Sequence, residues 1–392
     1  MTLSSISHFD ELQAAIAQAV GDETPLSIFA AGSKAGYGNP TTTEHQLDIS
    51  KMQGVMDYEP EELIITMHAA TPLTEVENML ADKGQMLSFE PPHISHLYDS
   101  QTEGTIGGVI ATNLSGPRRL SAGAARDYLL GFEAVSGRAV RFRSGSKVVK
   151  NVTGYDLSKL MCGSFGTLAI MDEMTLKVLP SPETSLSLIV GCSSLEQAAA
   201  AARAAMQTAY EPSATAILPH SFHALSKQAA IAVIRLEGVA VSVEDRASHL
   251  QKILSEFGHP DRLDEQGSQA LWADIRDVKF FDAKAPQIWR ISTAPTVGPM
   301  LLADLQNQFD CAGYMDWAGG LLWLSCADEG AHALIRDGLA KLGGGHATLM
   351  RADHSLRTAI SVFEPQPKAL ASLNERIQHA FDPKHILNPG RL

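Results

Sequence analysis

The stretch from Lys150 to Pro180, KNVTGYDLSKLMCGSFGTLAIMDEMTLKVLP, begins as a polar turn and ends as an alternating strand. Its middle, Gly163-Ser164-Phe165-Gly166-Thr167, contains two glycines, which lose more conformational freedom on ordering than any other residue. Two explanations fit this pattern: a tight turn from helix to strand, or a backbone that approaches a ligand closely. Other parts of the chain bear on the choice between them.

Two further stretches are rich in small residues. The loop FAAGSKAGYG, residues 29–38, follows a predicted strand, and successive N–H groups of such a turn can form an anion-binding concavity. It lacks the glycine spacing of a Walker A loop, and an ordinary turn is the alternative. The second stretch, DSQTEGTIGGVIATNLSGPRR, residues 99–119, has small residues where a strand would prefer bulk. Three such loops favour one long ligand with a diphosphate and flat rings, such as a flavin dinucleotide.

Length, charge and cysteine spacing argue against a nucleic-acid-binding, membrane-spanning or disulfide-rich protein. A length of 392 residues predicts two or three domains, and a net charge of -13 without clustered Lys and Arg argues against a nucleic-acid surface. No run approaches the roughly 18 apolar residues of a membrane span, and the first residues lack a signal-peptide pattern, so we expect a cytoplasmic protein. The four cysteines contain no C-x-x-C pair and predict neither a disulfide framework nor a metal or iron–sulfur site.

Hydrophobic patterning predicts an α+β fold. Short strands mixed with helices precede Pro180 and Pro182, where we place a domain boundary. Residues 183–350 alternate strands and helices in a way that fits a ferredoxin-like sheet with helices on one face. The tail, residues 351–392, predicts a helix followed by an apolar extended segment that docks on the rest of the protein.

Segments through nearly the whole chain resemble, in order, those of the FAD-binding subunits of bacterial glycolate oxidase, within the vanillyl-alcohol-oxidase (PCMH-type) flavoprotein superfamily. The matching segments are AAGSKAGYG, GQMLSFEPP, TIGGVIATNLSGPRR, KNVTGYDLSKLMCGSFGTLAI, WRIS, DWAGGLLWL, GGHATLMRA and FDPKHILNPGRL. The resemblance implies a PCMH-type FAD-binding domain of two subdomains at 1–182, a ferredoxin-like α+β cap domain at 183–350, and a C-terminal helix and tail at 351–392 that return to the FAD domain.

The resemblance also implies which residues bind FAD. The first loop would wrap the pyrophosphate, mainly through main-chain donors, with Ala30, Ala31, Gly32, Ser33 and Lys34. Pyrophosphate, ribose and ring would be contacted by Asp99, Ser100, Gln101, Thr102, Gly104, Thr105, Gly107, Gly108, Ala111, Thr112 and Asn113. The adenine and ribose edge would be met by Gly166, Thr167 and Ile170. The glycines of the opening stretch are therefore interpreted as letting backbone reach the coenzyme.

Two departures from the family pattern concern the coenzyme. Ala30 and Ala31 stand where relatives often have glycines, so the backbone is expected to approach FAD less closely. No His or Cys stands in residues 28–38 to tether the flavin, which implies a noncovalent cofactor.

Catalytic residues are harder to assign. Oxidation of a 2-hydroxy acid needs a base for the hydroxyl proton, a cation for the carboxylate and a hydride acceptor. Arg290 and Arg351 are candidate cations, with structural pairing as the alternative, and no base or metal site is evident.

The resemblance implies an FAD-binding subunit of a glycolate oxidase or dehydrogenase complex. Such a chain would take part in the oxidation of glycolate to glyoxylate, beside a second flavin subunit, with electrons passing to an iron–sulfur partner subunit. Contact with a membrane would occur at most through these partners. Two alternatives remain: a non-catalytic assembly subunit with weak or absent FAD, and a self-sufficient FAD-dependent 2-hydroxy-acid oxidoreductase.

Overall fold

The computed structural model describes residues 2–41, 43–146, 155–282 and 284–392. The predicted polar turn at Lys150–Gly154 lies outside these residues. Contacts divide the chain into two units. The first comprises the described residues of Met1–Ser115, Ala124–Ser181 and Pro365–Leu392, and the second comprises those of Gly116–Gly123 and Pro182–Glu364. Both units combine helices and sheets, and the predicted α+β class is confirmed.

Up to Ser181 the elements are short. The strands are β1 (Thr2–Ser5), β2 (Leu26–Phe29), β3 (His45–Asp48), β4 (Val55–Glu59), β5 (Ile64–His68), β6 (Gln85–Met86), β7 (Leu129–Ser136), β8 (Arg141–Gly145), β9 (Ala169–Lys177) and β10 (Leu179–Pro180). The helices are α1 (Phe9–Asp22), α2 (Leu73–Ala81), α3 (Ile106–Thr112), α4 (Arg119–Ala122) and α5 (Leu157–Met161).

The first unit contains a small parallel sheet in the order β1-β3-β2. Helix α1 buries Leu12, Ile16 and Ala19, which recur on one face of the helix. These side chains pack against β2 and β3 and against Ile386 and Leu387 of the C-terminal tail. The sheet and the tail therefore share one core.

A second, antiparallel sheet of the first unit has the order β4-β5-β9-β7-β8. Helix α2 covers it with Leu73, Val76 and Leu80, and α3 adds Val109 and Ile110 to the same core. A two-stranded ladder joins β10 to β6. The first unit thus consists of two sheet-and-helix layers, as a two-subdomain architecture requires.

From Pro182 onward the elements are longer. The strands are β11 (Thr184–Cys192), β12 (Ala214–Pro219), β13 (Ala230–Gly238), β14 (Pro260–Leu263), β15 (Gln287–Ser292), β16 (Cys311–Asp316), β17 (Leu321–Cys326) and β18 (His346–Arg351). The helices are α6 (Leu195–Met206), α7 (Ala240–Leu254), α8 (Glu265–Arg276), α9 (Val297–Gln308), α10 (Ala331–Lys341), α11 (His354–Ala359) and α12 (Lys368–Phe381).

The second unit is built on one antiparallel sheet in the order β14-β11-β13-β12-β16-β17-β15-β18. Helices α6, α7, α9 and α10 cover one face with a large aliphatic core. Helix α8 covers the other face, since its Trp272 Nε1 donates to Ser187 Oγ at 2.9 Å, and Ser187 alternates with the core residues Leu188 and Val190. The expectation of helices on one face only is therefore wrong for this helix.

Residues 116–123 group with the second unit although they precede much of the first in sequence. Arg118 forms an ion pair with Glu237 at 2.5 Å, and Ser121 Oγ donates to the carbonyl of Ser213 at 2.8 Å. The indole Nε1 of Trp317 donates to the carbonyl of Gly116 at 3.1 Å. These bonds fasten the segment to the sheet of the second unit.

Candidate functional site

The first loop, residues 99–115 of the second stretch, and the glycines of the opening stretch lie next to one another in the first unit. Thr102 Oγ1 donates to the carbonyl of Ala31 at 2.8 Å, which joins the first loop to the second stretch. Phe165 N donates to the carbonyl of Ala111 at 2.9 Å. This bond joins the second stretch to the glycine-containing turn of the opening stretch, residues 163–167, which is called the third loop below. The rings of Tyr37 and Phe165 meet edge to face, with centroids 4.9 Å apart, which joins the third to the first.

Lys34 supplies a positive charge at the junction of the first two stretches. Its Nζ lies 2.9 Å from the position that a Cβ on Gly104 would take and 3.6 Å from that of Gly108. Within the described ranges the ammonium has no carboxylate partner. Burial lowers the pKa of Lys34 to about 8, because the charged form loses solvation without gaining a counter-ion. Such a group favours an anionic ligand.

The backbone around Lys34 adds neutral donors. The N–H groups of Ala31, Gly32, Ser33 and Lys34 donate to no acceptor in the part of the chain that the structure describes. The turn is closed by other bonds, from Ala35 N to Gly32 O at 3.0 Å and from Tyr37 N to Lys34 O at 2.9 Å. Gly32 has a φ of +69°, and a Cβ there would meet nothing within 4 Å. Four consecutive amides beside an ammonium form a concavity suited to a diphosphate.

Residues 106–112 of the second stretch form a short helix, α3, so its small residues stand on a helix and not on a strand. Thr105 begins the helix, and its Oγ1 accepts from Gly108 N at 3.2 Å. Buried Ile106, Val109 and Ile110 have helical spacing, which outweighs the scarcity of bulky side chains. Of the two glycines in α3, Gly108 faces Lys34, whereas Gly107 does not.

Gly107 is small because of packing within the first unit. A Cβ there would lie 2.6 Å from the carbonyl oxygen of Ala69 and 2.8 Å from its Cβ. The N–H of Gly107 also donates to that carbonyl at 2.8 Å. Close approach of two protein segments therefore accounts for Gly107 without a coenzyme.

Several predicted contact residues already have partners inside the protein. Thr112 Oγ1 donates to the carbonyl of Gly108 at 2.7 Å, and Thr167 Oγ1 donates to that of Ser164 at 2.7 Å. Asn113, with a φ of +51°, uses its side-chain oxygen to accept from Arg126 N at 3.2 Å. Their side chains shape the loops, and a coenzyme would meet these loops mainly through other atoms.

The remaining predicted residues lie around the junction with different exposures. Ser100 Oγ bonds Thr102 Oγ1 at 2.8 Å, and Asp99 has a φ of +52° at the end of a short helical turn. Gln101 is exposed. Ile170 is buried in the core beside α1 and β2. Ser100 lies close to the first loop, because its partner Thr102 bonds the carbonyl of Ala31. Ile170 follows the third loop and points into the core of the first unit.

The glycines of the opening stretch are required by a tight turn, the first of the two explanations that the sequence allowed. Gly163 and Gly166 have φ values of +90° and +68°, which disfavour side chains. A Cβ on Gly166 would also lie 2.8 Å from the side-chain nitrogen of Asn388. The turn and the C-terminal tail together explain Gly166. Asn388 was not among the residues predicted for the site, and its local signal is a polar residue within the apolar tail ILNPG.

The two candidate arginines lie in the second unit. The guanidinium of Arg290 lies 5.1 Å from the centre of the Trp317 ring, and that of Arg119 lies 5.0 Å from the same ring. Arg351 ends β18, opposite Ile288 of β15. In the described ranges no group of three or more His, Cys, Asp and Glu residues is arranged to hold a metal ion.

Cys162 is the cysteine nearest the three stretches. Its Sγ lies 3.2 Å from the carbonyl of Ile110 and 3.5 Å from the side-chain oxygen of Asn113. Burial raises the pKa of this thiol to about 12, so it is protonated and unreactive at neutral pH.

The residues present fit FAD. An ammonium and four amide donors suit its pyrophosphate, and the glycines at 32, 104 and 108 leave room beside them. Residues 5–143 match the family model described as an FAD binding domain, which confirms the predicted cofactor.

Two curated proteins resemble the chain in sequence over almost its full length. Glycolate oxidase subunit GlcE of Escherichia coli (strain K12) is 34% identical over 380 residues, which cover 96% of this chain and 94% of that protein. D-2-hydroxyglutarate dehydrogenase of Xanthomonas citri pv. viticola is 23% identical, with 98% of this chain and 87% of that protein covered.

Solved structures share the fold. p-Cresol methylhydroxylase superposes with a TM-score of 0.72 at 15% identity, covering 99% of this chain and 88% of that one. An alkyldihydroxyacetonephosphate synthase superposes with a TM-score of 0.70 at 16% identity, covering 100% and 77%. The predicted PCMH-type architecture is thereby confirmed.

Proposed function

Because the chain belongs to the family of FAD-linked oxidoreductases that includes glycolate oxidase subunit GlcE of Escherichia coli, we propose that it is the FAD-binding subunit of a glycolate oxidase complex. The observation that carries the proposal is the alignment with that subunit, which is 34% identical and covers 94% of its length. The ammonium of Lys34 and the four amides beside it agree with this assignment. Shared length matters because both units of this chain are then represented in the relative.

The chain's own residues would hold FAD noncovalently. The amides of Ala31 to Lys34 and the Lys34 ammonium would bind the pyrophosphate, while the loop at Gly166 would adjoin the adenine and ribose. Noncovalent binding is the expectation for a first loop that contains no His or Cys in residues 28–38. Bound FAD supplies a two-electron acceptor.

The proposed substrate is glycolate, a small 2-hydroxy acid. Its oxidation to glyoxylate removes a hydride from carbon and a proton from the hydroxyl, and the two electrons would leave through an iron–sulfur partner subunit. A second flavin subunit would complete the complex. Arg290 and Arg351 are the proposed carboxylate ligands, because a guanidinium can bind a carboxylate through two parallel hydrogen bonds.

The proposed location of the complex is the cytoplasm, with any membrane contact made by partner subunits. Among the described helices, none has the length and apolar character to cross a bilayer. An assembly role with weak FAD is the second candidate, favoured by Ala30 and Ala31, whose methyl groups keep a coenzyme farther from the backbone of the first loop than glycines would.

The test begins with extraction of the bound small molecule and its identification by mass. We expect FAD, released intact by acid because it is noncovalent, and an absorbance band near about 450 nm in the native protein. Anaerobic glycolate should bleach this band in the assembled complex and leave it unchanged in the isolated chain. Bleaching of the isolated chain would instead establish a self-sufficient oxidoreductase. A chain that cannot be loaded with FAD would establish the assembly role.

A further inference from the structure

The C-terminal tail folds into a buried turn after α12 ends. Asp382 is fully buried, and its two carboxylate oxygens accept from Ile386 N at 3.0 Å and from Leu387 N at 2.8 Å. Ile386 and Leu387 are also fully buried. The tail is therefore a fixed part of the first unit.

The tail runs beside β2, the strand that leads into the first loop. Leu26 N donates to the carbonyl of Ile386 at 2.7 Å, and Asn388 N donates to that of Leu26 at 2.9 Å. The pairing is parallel, with Leu387 opposite Leu26. Since β2 is an edge strand of its sheet, the tail fills the hydrogen-bonding positions that the sheet leaves open.

Asn388 connects β2 to the third loop through one side chain. Its oxygen accepts from Ile28 N at 2.7 Å, and its nitrogen donates to the carbonyls of Phe165 and Gly166 at 3.2 and 3.3 Å. The residue is only 7% exposed, so these bonds are sheltered from water. The side chain thus uses its oxygen and its nitrogen to hold two separate segments.

Arg391 holds the first loop. Its guanidinium donates to the carbonyls of Lys34 and Ala35, both at 2.9 Å, and its own carbonyl accepts from Asn39 N at 3.1 Å. Fixing the Lys34 carbonyl fixes the turn that carries the Lys34 side chain and the four free amides. Both bonds come from the same nitrogen, Nη2, so one side-chain atom holds two consecutive carbonyls of the turn.

We propose that Asn388 and Arg391 are positioning residues for the coenzyme: the tail sets the geometry of the first and third loops, and FAD binding and tail docking stabilise each other. The inference rests on the proposed function only for the identity of the coenzyme. Thermodynamic reciprocity requires that, if the docked tail raises FAD affinity, FAD stabilises the docked tail to the same extent.

The first measurement is FAD affinity of the apoprotein by quenching of flavin fluorescence. Arg391→Met removes both donors, and we expect FAD to bind about tenfold more weakly, as for two lost hydrogen bonds to loop carbonyls. Arg391→Lys should recover part of the loss. The matched control is Lys384→Met in the same tail, which breaks bonds to Val20 and Glu23 but touches neither loop, and it should leave FAD affinity unchanged.

The second measurement is amide hydrogen exchange of residues 382–392 with and without FAD. We expect FAD to slow exchange at Ile386, Leu387 and Asn388, and to do so less in Arg391→Met. Asn388→Asp, which replaces the amide donor with an acceptor, should weaken FAD binding more than Arg391→Met does, with folding checked by circular dichroism.

Three outcomes would overturn the inference. Wild-type FAD affinity in Arg391→Met, or tail exchange indifferent to FAD while the first loop is protected, would refute the positioning role and leave the proposed function standing. Failure of the wild-type chain to bind FAD would refute both.

Discussion

The Nζ atom of Lys34 lies 2.9 Å from the place that a Cβ on residue 104 would occupy, so Gly104 leaves the ammonium its space. Gly108 borders the same space from α3, at 3.6 Å. Lys34 as a whole residue is partly exposed, but its ammonium is buried, and within the described part of the chain it has no carboxylate partner. Charge and room for an anion therefore coincide at one point of the first unit.

Gly108→Ala should weaken FAD binding without destabilising the fold. The new methyl group would enter the space beside Lys34 and cost about 1 kcal/mol of binding, roughly fivefold in affinity. Alanine in a helix is about 0.5–1 kcal/mol more favourable than glycine, so the apoprotein should melt no lower than wild type. Gly21→Ala, in α1 with no atom within 4 Å of the added Cβ, is the control that gains helix stability alone.

Gly107→Ala should destabilise the fold and have little direct effect on FAD binding. Because the added Cβ collides with Ala69, the free energy of unfolding should fall by about 1–3 kcal/mol. The comparison of melting temperature and FAD affinity in both variants is the measurement. Equal effects of the two substitutions on FAD binding would contradict the assignment of Gly108 to the cradle and Gly107 to packing.

Lys34 should make FAD binding dependent on pH. Its pKa of about 8 in the free protein rises when a pyrophosphate binds, since the anion favours the charged form. Affinity should therefore be constant below pH 8 and fall as pH rises above it, by at most about tenfold per unit. Lys34→Met should bind FAD weakly at every pH, and should bind riboflavin, which lacks phosphates, as wild type does. A pH-independent wild-type affinity from 7 to 9.5 would argue against a charged Lys34 in the site.

The stability of the apoprotein should respond to pH with the opposite trend. A lysine pKa lowered in the folded state means that the unfolded chain binds more protons between pH 8 and 10.5. This contribution makes the apoprotein more stable as pH rises through that window. Lys34→Met removes the buried charge, so its urea midpoint should exceed that of wild type at pH 7 and converge with it near pH 10. A lower midpoint at pH 7 would show that Lys34 has a stabilising partner.

Glu133 should contribute stability above pH 4.5. Hydrogen bonds from Arg141 and Arg143 lower the pKa of this carboxyl to about 2, against the opposing effect of burial. The contribution is present above 4.5 and is lost as pH falls toward 2. Since both arginines are partly exposed, Glu133→Gln should lower the free energy of unfolding by about 1–2 kcal/mol at pH 7. Denaturant titrations at pH 7 and 3 test this.

The control for Glu133 is Glu173→Gln, whose carboxylate lies 3.7 Å from Arg143 and is more exposed. It should change the unfolding free energy by less than about 0.5 kcal/mol. A wild-type advantage over Glu133→Gln that is as large at pH 3 as at pH 7 would show that packing, and not charge, is responsible.

Arg290→Lys should raise the KM for glycolate in the assembled complex by about tenfold or more, because an ammonium cannot replace two charge-assisted hydrogen bonds to a carboxylate. FAD content should not change. Arg119→Lys is a matched control, since Arg119 stacks on the same Trp317 ring at nearly the same distance. Equal KM values in the two variants would leave Arg290 a structural residue.

Periodic elements were predictable from sequence, and long-range pairings were not. Helix α2 and strands β7 and β9 have regular apolar spacing, so their type follows from local sequence alone. Residues 105–113 carry few bulky side chains, which gives no clear signal for strand or helix, and only the spacing of Ile106, Val109 and Ile110 indicates the helix that the structure contains. The position of α8 depends on which sheet face its Trp272 covers, and local sequence does not encode this.

The candidate site was predictable in outline. Small residues at three places correctly indicated segments that meet, since side chains are missing where backbones approach each other. The sequence shows that a glycine lacks a side chain, but it does not show what occupies the space beside that glycine. Ala69 occupies it at Gly107, and Asn388 occupies it at Gly166. The roles of Asn388 and Arg391 depend on partners more than 200 residues away, which no local pattern can supply.

Pairing between β2 and the tail has a consequence for biosynthesis. Ile28 emerges from the ribosome long before Asn388, whose side chain accepts its amide hydrogen across 360 positions. Until residues 386–388 have been synthesised, the nascent chain carries an open strand edge at β2 and an incomplete aliphatic core, both of which favour aggregation. On the proposed role of the tail, the loops that hold the coenzyme reach their final geometry only after Asn388 and Arg391 have been synthesised.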